Sequence, residues 1–194
     1  MKKITVILIL LCSRVFAQDS LKSFNYSRNR ITTTGMEVLG SWSIVNMGVG
    51  AAGWAASASG PNKYFYQMTF LWNTANLGAA VLGFTGAQKN KNKSLTASET
   101  LKEQKKVEKI FLINGGLDVV YIGTGVYLKH RGDANKSAQL IGYGSSVIIQ
   151  GAFLLLFDGT MYRAQKSNGS KLMHFLEKNT VSFNGNQIGI IHNM

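Results

Sequence analysis

The chain has 194 residues and a formal net charge of +12, with 45% hydrophobic and 10% aromatic residues, one Pro and 21 Gly. That length suits one domain, and the apolar share excludes a disordered polyelectrolyte. Residues 38–62, 64–88 and 137–157 hold no Asp, Glu, Lys or Arg, whereas 89–109 holds seven Lys and three Glu. A soluble domain spreads charge over every element, so this segregation points to a bilayer. The mean hydropathy of only +0.04 reflects Gly, Ala, Ser and Asn in the charge-free runs.

Lys2 and Lys3 precede an apolar run from Ile4 to Leu11, and Val15-Phe16-Ala17 fits cleavage after Ala17. This is the order of a secretory signal peptide, residues 1–17, too short to span a membrane. Its removal would also remove Cys12, the only cysteine, leaving no disulfide, thiol nucleophile or Cys metal site. Residues 18–34 are polar and read as a short lead-in.

Four apolar segments follow, at about 35–58, 64–86, 110–128 and 138–162, and together they predict a membrane domain over 35–162. Pro61 follows Gly60 at a tight first link. In the basic second link, Thr96-Ala97-Ser98-Glu99 has capping-box spacing, so a helix starts near Ala97 and runs into the third span. The third link, Lys129 to Ser137, is short and basic. Ser167-Asn168-Gly169-Ser170 reads as a flexible linker opening a tail over 163–194. In that tail, residues 180–191 fit a small β-hairpin around Asn184-Gly185. The expected fold is all-α: a four-helix transmembrane bundle with a signal peptide and a small C-terminal β-hairpin.

Trp42-x3-Asn46-x-Gly48 recurs as Trp72-x3-Asn76-x-Gly78, which in antiparallel neighbours places Asn46 and Asn76 at similar depth. Gly35-Met36-x-Val38-Leu39-Gly40-x-Trp42-x3-Asn46 resembles an uncharacterised family of small bacterial membrane proteins. Phe65-Tyr66-Gln67-Met68-x3-Trp72-Asn73-x2-Asn76, Asn114-x-Gly116-Leu117-Asp118-x2-Tyr121 and Gly142-Tyr143-Gly144-x5-Gln150-Gly151 carry the same resemblance. It covers about residues 35–160, implies a four-helix membrane fold and supplies no activity.

Asn114, Asp118, Tyr121 and Gly125 form one stripe of the third helix. A mid-span carboxylate costs roughly 2.5–3.5 kcal/mol on insertion scales, so Asp118 is expected to face the bundle. No Lys or Arg lies within a span to pair with it. It therefore reads either as a protonated or amide-held clasp or as a site for a proton or small polar solute. Asn46, Gln67, Asn73, Asn76 and Gln150 are amides that need partners on neighbouring helices. Glu37, Asp158 and Arg163 sit near span ends and read as interfacial anchors.

Other motifs carry less. Gly48-Val49-Gly50-Ala51-Ala52-Gly53 satisfies a dinucleotide-binding spacing but lies inside an apolar span with no preceding strand. His130, His174 and His192 have no metal-ligand spacing. No nucleophile is flanked by a base, so no enzyme activity and no cofactor are expected. The bilayer is the expected partner, with a second copy or an envelope protein beside it and no nucleic acid. The leading expectation is a structural or accessory envelope component, and the alternative is transport or binding through Asp118.

A signal peptide places both ends of the mature chain on the outer face of a bacterial cytoplasmic membrane. The positive-inside rule prefers the reverse, since most Lys and Arg would then lie outside. The reading follows the signal peptide, because an exported N-terminus constrains the first span directly.

Overall fold

The computed structural model describes the backbone of residues 2–178, 181–184 and 187–190 and the side chains of residues 18–178. Four helices dominate: α1 Lys2–Ala56, α2 Pro61–Asn90, α3 Ala97–Ala134 and α4 Ala138–Lys178. The fold is all-α. Two four-residue strands, β1 Val181–Asn184 and β2 Gln187–Ile190, pair antiparallel with Val181 opposite Ile190. Gly185 of the expected Asn-Gly turn lies outside the described residues.

The helix ends follow local chemistry. Gly60 has φ 86°, a left-handed conformation that suits glycine, and Pro61 opens α2 with its fixed φ. At the start of α3 the capping box forms as its spacing predicts. The Thr96 backbone N–H donates to Glu99 Oε2 at 2.9 Å, and the Glu99 N–H donates to Thr96 Oγ1 at 3.3 Å. Leu140 N–H donates to Ser137 Oγ at 3.4 Å at the start of α4.

The helices run up and down as two hairpins, α1 with α2 and α3 with α4, joined mainly by α2 against α4. The backbones of α2 and α3 stay apart and meet through side chains such as Trp72 and Tyr121. Small residues set the tight spacings. A Cβ on Gly144 would lie 2.6 Å from the Gly125 carbonyl oxygen, and one on Gly142 would lie 2.7 Å from Phe65 N. The apolar core holds Met36, Leu39, Ala80, Phe111, Leu154, Phe157 and Met161.

Two sequence expectations are overturned at the other end of the bundle. Residues 18–34 are no separate lead-in; they continue α1, with Asn25, Arg28, Asn29 and Thr33 buried. Ser167-Asn168-Gly169-Ser170 is no linker; α4 passes through it with Asn168 and Gly169 buried. The reason is pairing. α2 ends at Asn90, whose carbonyl accepts from Asn29 Nδ2 at 3.2 Å. Beyond that level α1, α3 and α4 continue as a three-helix extension with a core of side-chain amides. Gln165 Nε2 donates to the Arg28 carbonyl at 3.1 Å and to Thr32 Oγ1 at 3.0 Å. Gln104 Nε2 donates to the Gln165 carbonyl at 2.7 Å, and Asn168 Nδ2 donates to Gln104 Oε1 at 2.8 Å. Gly169 gives Glu108 room to approach.

By length and composition, α3 and α4 are apolar enough to cross a membrane. In α1 and α2, Gly, Ala, Ser, Thr and Asn dilute the hydropathy.

Candidate functional site: a carboxyl pair in an interhelical cavity

Asn114, Asp118 and Tyr121 stand one turn apart on α3, and the helical period brings all three to one cavity of about 400 Å³. Asn76, Ala79 and Gly83 of α2 line it too, spaced so that two small residues leave room beside the amide. α1 contributes Met36 and Leu39, and α4 contributes Leu154, Phe157 and Asp158. No Lys, Arg or His lines the space.

Asp118 is 2% exposed and Asp158 is 4% exposed. Their carboxyl groups adjoin one another, and Asn114, on the helix face that carries Asp118, stands beside Asp158. Asp118 Oδ2 accepts from no N–H or O–H donor, and Asn76 Nδ2 has no acceptor. A carboxylate only accepts, so two carboxyl groups in contact need a proton or another cation between them. Trp72 packs edge-on against Tyr121, ring centroids 5.0 Å apart at 87°, with its Nε1 unpartnered.

Asp158 is therefore not an interfacial anchor with Arg163. Helix α4 continues sixteen residues past the expected span end at 162, to Lys178. Asp158 points inward while Arg163, five positions on, is exposed. Glu37 is exposed on α1.

The remaining amides separate into other contacts. Gln150 is buried where α1, α2 and α4 meet, and its Oε1 accepts from Trp42 Nε1 at 3.2 Å and from Asn73 Nδ2 at 3.1 Å. Trp42 stacks on Phe153 of α4 at 3.9 Å between centroids. Gln67 Oε1 accepts from Tyr143 O–H at 2.9 Å, joining α2 to α4. Asn46 only back-bonds to the Trp42 carbonyl of its own helix at 2.9 Å. The burial pattern of residues 41–50 repeats position by position over 71–80, matching the Trp-x3-Asn echo. Gly125, the end of the Asp118 stripe, packs on Gly144 outside the cavity.

The sequence reading placed Asp158 at an interface, gave Trp42 no partner and missed the extension's polar core. Thr100, Gln104 and Glu108 recur at four-residue spacing and are all buried, a stripe that periodicity could have found. In that extension, burial lowers the Arg28 pKa, and the charge of Glu103 opposes the shift. Arg28 Nη1 donates to Asn25 Oδ1 at 2.7 Å. Glu108 pairs with Lys105 at 3.2 Å and with Lys166 at 3.9 Å. Among the described residues, no group of three or more His, Cys, Asp or Glu could hold a metal ion.

No curated protein and no solved structure matches the chain. A family model described as a family of unknown function, DUF6992, matches residues 38–159. The match takes in the Gln150 contact and the Asp118–Asp158 cavity and stops short of most of the three-helix extension. Matched over more than half its length, the chain belongs to the DUF6992 family.

Proposed function

We propose that all four helices lie in a bilayer and that the Asp118–Asp158 cavity binds a proton or a small polar solute. Beside its apolar core, the bundle turns large apolar side chains outward and polar ones inward. Ile44, Val45, Leu82, Val120 and Leu156 are each more than half exposed, while Ser43, Asn73, Asp118, Ser146 and Gln150 are buried. Apolar surface of this kind suits lipid, and polar groups in hydrocarbon turn inward. The spans are those of the sequence reading, in the cytoplasmic membrane of a bacterium. The signal peptide is cleaved, and both ends of the mature chain face outward.

The carboxyl pair carries the functional reading. One ionised carboxylate at mid-bilayer costs roughly 2.5–3.5 kcal/mol, and a second beside it adds like-charge repulsion. Keeping both demands a compensating cation. The cavity also has space for about a dozen waters or a small solute, at about 30 Å³ per water. A purely structural envelope component is the second reading, favoured by the fully buried Gln150 contact that ties three helices together. No catalytic role is assigned.

Infrared difference spectroscopy of the protein in lipid nanodiscs, with and without sodium, tests the site. The expected result is one carboxyl band lost equally in Asp118→Asn and Asp158→Asn. Two bands, each untouched by the other substitution, would sink the pair. Wild-type membrane levels of Asp118→Asn with full complementation of a deletion strain would favour the structural reading.

A further inference from the structure

A second concavity, of about 640 Å³, runs along the outside of the bundle between α1 and α4. Its composition changes along its length. At one end lie Val38 and Phe157, then the hydroxyls of Thr34 and Thr160, then Arg30, Ser27 and Ser167, with Lys171 outermost. From Val38 to Ser27 is eleven residues of helix, about 16 Å along the axis. The groove crosses the level where the apolar spans end, near residues 35 and 162. Arg30 and Lys171 are exposed, and neither belongs to an ion pair among the described residues. Gly35 and Met161 form its floor.

We propose that this groove binds one anionic phospholipid. Its phosphate sits among Arg30, Lys171 and the hydroxyls of Ser27 and Ser167, and an acyl chain runs past Thr160 toward Val38 and Phe157. The cations lie at headgroup depth and the apolar end at acyl depth, the order a lipid requires. The proposal rests on the membrane reading above and is independent of the carboxyl pair. A second copy of the chain would need acidic residues to meet Arg30 and Lys171. Glu37, the nearest exposed acid on α1, lies two turns from Arg30 toward the apolar end.

Native mass spectrometry of the detergent-purified protein tests it, with dioleoyl-phosphatidylglycerol, dioleoyl-phosphatidylcholine and inorganic phosphate as probes. One phosphatidylglycerol per chain is expected, in preference to phosphatidylcholine and to phosphate. Arg30→Gln with Lys171→Gln should weaken it about twenty-five-fold, from roughly fivefold per cation. Thr160→Trp should weaken it also while leaving both cations; Thr160 is exposed, so folding tolerates the change. Lys102→Gln with Lys106→Gln, exposed cations away from the groove, should not. Equal losses in both double variants, full retention in Thr160→Trp, equal binding of the two lipids, or a dimer in place of bound lipid overturns the proposal. An alkaline wash of native membranes runs alongside: release of the protein overturns the membrane reading, whereas retention with no lipid preference overturns the groove alone.

Discussion

Asn73 of α2 donates its side-chain amide to Gln150 of α4 at 3.1 Å, and the same Gln150 oxygen accepts the Trp42 indole of α1. One acceptor therefore fixes the relative rotation of three helices. Gln150→Leu keeps much of the volume, takes the acceptor from the Trp42 indole and leaves Asn73 Nδ2 with the Thr69 carbonyl alone. Interhelical hydrogen bonds in membranes average about 0.6 kcal/mol and reach about 1.7. Destabilisation of about 1–3 kcal/mol is expected in a denaturant titration of the detergent-solubilised protein, using twice those values. An unchanged midpoint would show that the contact fixes nothing.

The contact of Gly125 with Gly144 makes a sharper packing prediction. A methyl at position 144 meets the Gly125 carbonyl oxygen at 2.6 Å and Lys129 N at 2.6 Å, both rigid backbone atoms. Gly144→Ala should cost about 1–3 kcal/mol by overpacking. Gly116 lies on the same helix as Gly125, and a Cβ added there would meet nothing within 4 Å. Gly116→Ala should therefore stabilise by up to about 1 kcal/mol through helix propensity. Thermal unfolding of the two variants side by side reads the difference, and equal shifts in one direction would contradict the close approach.

The α3 cap is pH-sensitive with a defined sign. The Thr96 backbone N–H, and then its hydroxyl, hold the Glu99 carboxyl below the ordinary carboxylate range, with a smaller contribution from Lys102. A group depressed in the folded state contributes stability above its unfolded pKa and loses it as pH falls through the folded value. Amide exchange in the first turn of α3 should therefore speed up on acidification below the ordinary carboxylate range. Thr96→Ala should weaken that turn at neutral pH by about 1 kcal/mol and flatten the acid response. A wild-type pH profile in this variant would remove the cap from the account.

Orientation has a direct test at the exposed link between α2 and α3. With both ends of the mature chain outside, a cysteine replacing Ser94 should react with an impermeant reagent in intact spheroplasts. Labelling only after lysis would show that the basic link stays inside, as the positive-inside rule prefers.

What the sequence made legible follows from which signals are local. The helix breaks at Gly60-Pro61 and Thr96–Glu99 depend on a few neighbouring residues, and they stand where the spacing puts them. Asn114, Asp118 and Tyr121 share a face because the helical period alone decides it. Asp158 escaped because its role depends on a contact forty residues away, and its place near the end of an apolar run suggested an interface. The extension escaped because Asn, Gln and Ser resemble linker residues until opposing helices satisfy their amides. Gln165 is buried only because Arg28, Thr32 and Gln104 stand opposite it.

The early end of α2 distributes the molecule's degrees of freedom unevenly. A one-residue rotation of α1, α3 or α4 turns a side chain by about 100° and breaks the bonds converging on Gln165, so these three helices are geared to one another. The cavity walls bearing Asp118 and Asp158 therefore move as one piece. α2 stops at Asn90, outside that gearing, and faces α3 across side chains alone. Among the described residues no hydrogen bond crosses from α2 to α3, so the cavity's width can change at that seam while Gln150 and Gln67 keep α2 on α4.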